Sequence, residues 1–280
     1  GATDTTGAVT GWVTTTADKI KFTVTDNGGA STITINSVSY TSGNDYQIAG
    51  ASPLTIVVTT TEANKITAVR TFTVSVTVYG TVQNPTTGEI WLDRNLGATR
   101  VAQSSTDYLA YGSLFQWGRP ADGHELITWT NSTTGAGTNA AQTGQVANVA
   151  PGVNYFLKGS ADWSSIDADG ATRTANWGVS GSSNPCPTGY RPPTNTELDA
   201  ERATWSSQNA AGAFASPLKL PVAGNRNSSD GSLLNVGSYG LHWSSVVDGA
   251  YSRNLVFYSD SAYMSINYRT YGLTVRCLKD

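Results

Sequence analysis

The stretch that decides the interpretation is GSYGLHWSSVVDGAYSRNLVFYSDSAYMSINYRTYGLTVRCLKD, residues Gly237–Asp280. Tyrosine, serine and small residues fill a framework of Trp, Arg and Gly, and six of the 13 tyrosines lie between Tyr239 and Tyr271. Tyrosine gives large, rigid contact area at low entropy cost, and Ser, Gly and Asn give adaptable hydrogen bonds, as in antibody recognition loops. The stretch therefore predicts a recognition surface, with an ordinary tyrosine-rich β-hairpin as the alternative.

The composition bounds the class of protein before any motif is used. A chain of 280 residues can form two domains, each with its own core. Only 13% of the residues are charged and the net charge is -3, which predicts no nucleic-acid partner. No apolar run is long enough to span a bilayer, so we expect no direct membrane insertion. The chain starts at Gly1, and we expect further sequence upstream.

The chain has two cysteines, Cys186 and Cys277, 91 residues apart. This spacing does not fit a local zinc site, and no second pair completes one. A structural disulfide and two free buried thiols are the two alternatives. In an extracytoplasmic setting we expect the disulfide, which in the chain-entropy model adds on the order of 4 kcal/mol to stability.

The first eighty residues repeat short alternating runs rich in Val, Ile and Thr, separated by turn residues. Alternation with a period of two predicts half-buried strands, and five to seven of them in this length fit an immunoglobulin-like β-sandwich. Asp26–Gly29 predicts a hairpin turn. We expect a spacer domain over residues 1–82, with a sugar- or partner-binding sandwich as the alternative. The runs are GWVTTT, KIKFTVT, STITINSVSY, LTIVVTTT and RTFTVSVTVY.

The amino-acid composition changes after Thr81–Pro85, which we interpret as the domain boundary. Residues 83–280 form the second predicted domain. Tryptophans recur there between long Gly, Ser, Thr and Asn loops, and such loops usually carry function. One helix is predicted from Thr194 to about Trp205, because Thr194 and Glu197 have the spacing of a capping box after two prolines.

Five strings in this second part occur together and in order. They resemble the formylglycine-generating-enzyme-like branch of the C-type lectin fold, which includes the variable proteins of diversity-generating retroelements. The resemblance covers residues 85–280 and implies an α+β domain whose last strands carry a solvent-facing ligand surface. The strings are GEIWLDRNLGATR (88–100), YGSLFQWGRPADGHE (111–125), NPCPTGYRPPTNTEL (184–198), LHWSS (241–245) and GLTVRCLKD (272–280).

The resemblance further implies a fixed framework and a displayed, replaceable set within a variable segment of about 238–276. In such proteins mutagenesis at adenines never yields Lys, Glu, Gln, Met or Trp. Residues 238–275 contain no Lys, Glu or Gln, and the one Trp and one Met there would belong to the framework. The framework would be Trp243, Ser244, Ser245, Arg253, Leu255, Phe257, Ser259, Arg269, Gly272, Val275, Arg276 and Cys277. The displayed, ligand-binding set would be Leu241, His242, Val247, Asp248, Tyr251, Val256, Tyr258, Asp260, Ala262, Tyr263, Ser265, Asn267, Tyr268, Thr270 and Tyr271. For Leu241, Val247 and Val256 a buried core position is the alternative.

The sequence offers no convincing catalytic or cofactor site. The enzymes of this fold use a reactive cysteine pair close together near the C-terminus, and Cys277 has no such neighbour. Neither His124 nor His242 lies in a nucleophile-elbow context, and we expect His124 to be a loop hydrogen-bonding residue. We predict no catalytic residue and no cofactor.

No metal site is predicted either. The calcium-binding strings of sugar-binding C-type lectins are absent. Asp167, Asp169 and Gly170 resemble the start of an oxygen-ligand loop, but no acidic residue closes it downstream, so we expect a plain turn.

The sequence thus predicts a non-enzymatic binding protein, located extracellularly on a virion tail or a prokaryotic cell surface. Its partner would be a protein or glycan on a target cell surface. An invariant surface adhesin or lectin-like structural protein of the same fold is the competing class. An enzyme with unrecognised chemistry is the third.

Overall fold

The structure is a computed structural model that describes residues 3–5, 9–15, 19–24, 30–47, 54–61 and 67–280. The chain divides into two compact units, Gly1–Tyr79 and Gly80–Asp280. Strands account for 36% of the residues and helices for 10%, and most sheets are antiparallel, so the fold is mainly β as predicted.

The described residues of the Gly1–Tyr79 unit form a six-stranded sheet and a two-stranded ribbon. The sheet order is β1-β8-β7-β4-β5 with β2 also on β8, and β3 pairs with β6. β1 and β2 run parallel to β8, whereas β4 and β7 pair antiparallel with their neighbours. The strands are β1 Thr3–Thr5, β2 Val9–Thr15, β3 Lys19–Lys21, β4 Ala30–Ile35, β5 Val38–Tyr40, β6 Asp45–Gln47, β7 Leu54–Thr61 and β8 Thr67–Val78.

Alternating burial builds the core of this unit. Leu54, Ile56 and Val58 are buried at every second position of β7, because successive side chains of a strand point to opposite faces. Ile33 and Ile35 of β4 join them, with partly buried aromatic residues of other segments packed against the cluster. β6 falls inside a stretch predicted to be a turn, and the predicted Asp26–Gly29 hairpin lies outside the described residues.

The Gly80–Asp280 unit combines short strands with three short α-helices and long connections. Its strands are β9 Thr81–Gln83, β10 Ile90–Leu92, β11 Phe115–Gln116, β12 Ile127–Asn131, β13 Thr134–Gly137, β14 Ala141–Thr143, β15 Phe156–Lys158, β16 Tyr190–Arg191, β17 Asn225–Arg226, β18 Leu233–Leu234, β19 Gly240–Asp248, β20 Tyr251–Phe257, β21 Ala262–Tyr268, β22 Gly272–Leu273 and β23 Leu278–Lys279. The helices are a 3-10 turn at Tyr108–Ala110, α1 Ala171–Asn176, α2 Asn195–Ala203 and α3 Ala210–Ala215.

These strands form several small sheets. The larger ones have the orders β16-β23-β10-β9, β11-β22-β17-β18 and β19-β20-β21, and β12-β13 and β14-β15 are two-stranded. The division between the units falls three residues before the boundary predicted at 82/83, because β9 pairs with β10 and so belongs to the second unit.

The predicted helix is confirmed as α2, which ends two residues before its predicted end. Thr194 is the N-cap, and its hydroxyl accepts from the Glu197 N–H while the Glu197 carboxylate accepts from the Thr194 N–H. This capping box satisfies two of the free donors of the first turn. Leu198 then enters a core with Trp205, Leu255 and Phe257, where Trp205 and Phe257 meet edge to face at 5.4 Å.

The site is positioned by the antiparallel meander of β19, β20 and β21. Leu255 and Phe257 of β20 and Ala262 of β21 face the core under α2. β19 is paired on both edges, with β20 on one side and with Thr274 on the other, where Trp243 N–H donates to the Thr274 carbonyl at 2.9 Å. β21 is the outer strand of this sheet.

No helix in the described part of the chain combines the length and apolar character that crossing a membrane requires.

Candidate tyrosine-rich binding surface

Tryptophan indoles tie the buried side of the meander to irregular segments of the domain. The Trp243 indole N–H donates to the Phe115 carbonyl at 2.7 Å, and the Trp117 indole N–H donates to the Ser244 carbonyl at 2.9 Å. Both rings are fully buried. A buried indole that finds a hydrogen-bond partner contributes a large apolar area without the cost of an unsatisfied donor. These contacts hold β19 in place.

Two buried arginines anchor the turn ends of the same sheet. The Arg269 guanidinium lies 3.0 Å from an Asp162 oxygen and donates to the Gly249 carbonyl at 2.6 Å, in the turn between β19 and β20. Arg173 pairs with the same Asp162 at 2.6 Å and lies over the Trp163 ring at 5.0 Å. One carboxylate thus compensates two fully buried guanidinium groups and fixes the end of β21.

The Asp167–Gly170 segment is the plain turn that the sequence favoured. Asp167 accepts from the N–H groups of Thr172 and Arg173, and its carboxylate lies 3.0 Å from the Arg173 Nε. Asp169 accepts from the Ala171 N–H. The Asp167 carboxylate thus pairs with Arg173 and caps the start of α1, and Asp169 bonds to the same end of the helix.

His242, predicted to be displayed, is buried at 1% exposure, which corrects that prediction. Its Nε2 lies 3.2 Å from the Asn95 amide oxygen, and Arg276 donates to the same oxygen at 3.1 Å. Burial first, and the nearby Arg276 charge second, lower the pKa of His242 to about 3. The imidazole is therefore a neutral interior group.

Four more residues of the predicted displayed set are buried: Leu241, Val256, Ala262 and Thr270. Leu241 lies opposite the equally buried Val256 on the paired strands β19 and β20. Val256 lies on the central strand, and Ala262 pairs with Phe257 at the core under α2. Thr270 follows the buried Arg269 and its N–H donates to the Ala161 carbonyl. The core alternative was therefore correct for Leu241 and Val256.

The other members of the predicted displayed set reach the surface. Asp260, Tyr263 and Tyr268 are exposed, and the rest are partly exposed. We call this set the tyrosine surface, and it consists of Val247, Asp248, Tyr251, Tyr258, Asp260, Tyr263, Ser265, Asn267, Tyr268 and Tyr271.

The tyrosines of this surface fall into two clusters. In the first cluster Tyr258 stacks on Tyr239 at 4.7 Å between ring centroids and meets Tyr263 edge to face at 6.4 Å. Such geometries are the favoured ones for aromatic pairs.

The second cluster is built from Tyr251, Tyr268 and Tyr271. Tyr251 stacks on Tyr268 at 5.2 Å, and Tyr268 lies nearly parallel to Tyr271 at 6.5 Å. Tyr251 and Tyr268 are directly paired across β20 and β21. Beside them the side chains of Asp248 and Arg253 form a half-exposed ion pair at 2.5 Å.

The two clusters lie on opposite faces of the meander. Tyr263 and Tyr268 are five positions apart on β21, and an odd separation along a strand places side chains on opposite faces, about 17 Å apart along the strand. Ala262 of β21 faces the core under α2, whereas Ile266 and Tyr268 farther along that face are exposed, and Tyr263 is exposed on the other face. The structure therefore presents two separate aromatic patches rather than one continuous face.

Sequence reasoning missed four surface residues in this region. Tyr239 was left out of the displayed set although it stacks on Tyr258, and Ile266 is 42% exposed. Arg253 and Ser259 were assigned to the framework, yet Arg253 is half-exposed and Ser259 is exposed in the turn after β20. Strict alternation along β21 would have indicated Ile266, since it shares a face with Tyr268.

A cleft of about 430 Å³ opens beside the first cluster. The tyrosines of that cluster share it with residues from other segments of the unit. It is lined by Ser105, Thr106, Ala210, Val222, Gly237, Ser238, Tyr239, Tyr258, Ser259 and Asp260.

One group in the described residues has metal-ligating side chains close together: Asp122, His124 and Glu125. His124 Nε2 accepts from the Gln116 N–H at 2.9 Å, so its Nδ1 carries the proton and donates to Asp122 at 2.6 Å. Burial lowers the pKa of His124 to about 3, and burial raises the pKa of Glu125 to about 7. Both ring nitrogens are engaged, so His124 is a buried hydrogen-bonding residue and has no lone pair free for a metal.

Cys186 and Cys277 form a disulfide with their Cα atoms 5.9 Å apart. Cys277 is fully buried, and its carbonyl accepts from the Leu92 N–H at 2.9 Å. The bond joins the loop before β16 to the segment before β23 and so fastens the end of the framework strands. It leaves no free thiol in the chain.

Comparisons of this chain with protein-family models, with characterised proteins and with solved structures return no match.

Proposed function

We propose that this chain is a non-enzymatic ligand-binding protein, used for receptor binding or adhesion, whose C-terminal unit presents the tyrosine surface to a target. The unit would have the C-type lectin fold of the formylglycine-generating-enzyme-like branch, preceded in the sequence by an immunoglobulin-like spacer. The observation that carries the proposal is the pair of tyrosine clusters on a meander whose interior is held by buried tryptophans, arginines and a disulfide. Clustered aromatic side chains on a rigid scaffold are typical of binding hot spots.

The partner would be a protein or glycan on a target cell surface, and the setting a virion tail or a prokaryotic cell surface. The disulfide supports an oxidising, extracytoplasmic setting. Both histidines of the chain are buried and hydrogen-bonded, which favours a binding role over histidine-based acid–base catalysis.

Diversification by retroelement mutagenesis would act on the exposed members of the tyrosine surface. Its test is the sequence of the locus: a nearby near-copy of the 238–276 segment that differs only at adenines, beside a reverse-transcriptase gene, supports it. A locus without such a copy would contradict diversification and would favour the alternative, an invariant surface adhesin.

Binding is tested by flow cytometry of the labelled protein on a panel of bacterial cells. The test variant carries Tyr258→Ser, Tyr263→Ser and Tyr268→Ser together, and the control variant carries Ile166→Ser and Leu234→Ser, which are similarly exposed elsewhere on the unit. We expect the test variant to lose cell binding with an unchanged fold and the control to keep it. Equal binding by both variants would contradict the proposal.

A further inference from the structure

The cleft beside the first cluster is a preformed feature of the fold. Its walls come from distant parts of the unit, and backbone hydrogen bonds join them. Val222 N–H donates to the Ser105 carbonyl at 2.8 Å, Gly237 N–H to the Val222 carbonyl at 2.9 Å, and Ala210 N–H to the Tyr258 carbonyl at 2.8 Å. Its volume of about 430 Å³ lies in the range of small-ligand sites, roughly 300–1,000 Å³.

The lining of the cleft carries one negative charge and no positive charge. Asp260 is its only acidic residue, and none of the lining residues is Lys, Arg or His. The Asp260 side chain makes no hydrogen bond and no ion pair in the described part of the chain. Each other aspartate of the Gly80–Asp280 unit accepts a hydrogen bond or pairs with a cation, as Asp248 does with Arg253. Because Asp260 is exposed, water screens its charge, and the carboxylate favours a cation over an anion by the modest amount typical of surface charges.

The aromatic wall favours the same sign of charge. Tyr239 and Tyr258 stack on each other, so the rings present only their outer faces and their edges. The face of an aromatic ring is the negative part of its quadrupole and attracts ammonium or guanidinium groups. Ser105, Thr106, Ser238 and Ser259 add hydroxyl oxygens that accept from N–H donors.

We infer that this cleft binds the basic side chain of a protein ligand, a lysine ammonium or an arginine guanidinium, between Asp260 and the Tyr239–Tyr258 pair. The inference rests on the proposed binding function and gives it a ligand class. Both basic side chains have an apolar stem that can pack on the tyrosines while the charged head reaches Asp260. An uncharged sugar could bond to the hydroxyls and to the carboxylate but would gain nothing from the charge of Asp260, and a response to the sugar would contradict the inference.

The test is an NMR titration of the full-length, ¹⁵N-labelled protein at low salt. The probes are the N-acetyl methylamides of lysine and arginine, with the norleucine analogue as the uncharged control and methyl glucoside as the sugar control. We expect the basic probes to shift the amide signals of residues 258–261 and the two controls to leave them unchanged. Asp260→Asn should lower the affinity for the basic probes about two- to fivefold. Tyr258→Leu should lower it about fivefold.

The matched charge control is Glu89→Gln, which removes a carboxylate from a residue outside the cleft lining and should not change the affinity. The inference is overturned if norleucine or the sugar shifts the same signals as strongly as lysine, if no probe shifts them, or if Asp260→Asn and Glu89→Gln behave alike. Those results would leave the proposed function standing as long as the triple tyrosine variant loses cell binding. Equal cell binding by that variant and its control would instead refute the function itself.

Discussion

Replacing Asp162 by Asn removes the one carboxylate that compensates both buried arginines. Asp162 lies 2.6 Å from Arg173 and 3.0 Å from Arg269, and both guanidinium groups are fully buried. Arg173 keeps a second carboxylate partner in Asp167. Arg269 keeps hydrogen bonds to carbonyls but has no other ion pair among the described residues. The substitution therefore leaves a buried charge without its counter-ion.

Removing one partner of a buried ion pair costs about 3–5 kcal/mol. Asp162 is 17% exposed and Arg173 keeps Asp167, so we expect a loss near the lower end, about 3 kcal/mol of unfolding free energy. That is a large part of the roughly 5–15 kcal/mol that stabilises a typical domain.

Urea unfolding followed by tryptophan fluorescence measures this loss, because Trp117 and Trp163 lie against the two arginines. The control is Asp248→Asn, which breaks the half-exposed pair with Arg253 and should cost less than about 1 kcal/mol. If Asp162→Asn is as mild as Asp248→Asn, the assignment of Asp162 as the anchor of the framework is wrong. A further expected result is that Asp162→Asn disturbs the NMR signals of the second cluster, which Arg269 adjoins, and spares those of the first.

Three further predictions concern pH, the helix cap and the disulfide. His124 and His242 have lowered pKa values of about 3 in the folded state, so the unfolded state binds their protons first and stability falls as pH drops below about 6.5. The raised pKa of Glu125, about 7, opposes one of the two histidines, so we expect the net slope to be small near pH 6.5 and to reach about 1.4 kcal/mol per pH unit near pH 5, and His242→Asn should largely remove it in urea titrations. Thr194→Ala should cost about 1 kcal/mol by loss of the capping box, whereas Thr194→Ser should stay within a few tenths; an equal loss in both would contradict the capping role. Reduction of the Cys186–Cys277 bond should cost about 2–5 kcal/mol, and a melting temperature that does not change with reductant would contradict its structural role.

Local chemistry made parts of the fold predictable. The capping box located the start of α2 because two side chains three residues apart satisfy backbone donors, independently of distant contacts. Alternation in LTIVVTTT predicted a half-buried strand in the same way, and β7 has that burial pattern because a strand has only two faces.

The burial of individual residues and the cleft could not be predicted from the sequence, because both depend on contacts between segments far apart along the chain. Leu241 and His242 occupy ordinary strand positions, yet both are buried, and His242 hydrogen-bonds to Asn95, 147 residues away in the sequence. The cleft is another example, because Ser105 and Ala210 reach Tyr258 through contacts between segments far apart along the chain. The six tyrosines lie close together in the sequence, but their division between two faces depends on the register of β21.

The most direct test of the central claim, a replaceable surface on a fixed framework, compares two libraries by protease resistance of the displayed full-length protein. One randomises Tyr258, Asp260, Tyr263, Tyr268 and Tyr271 together, and the other randomises Leu241, His242, Val256, Ala262 and Thr270. We expect most members of the first library to remain protease-resistant and most of the second to be digested, because core changes typically cost several kcal/mol each while surface changes cost little. Digestion of both libraries to the same extent would contradict the claim.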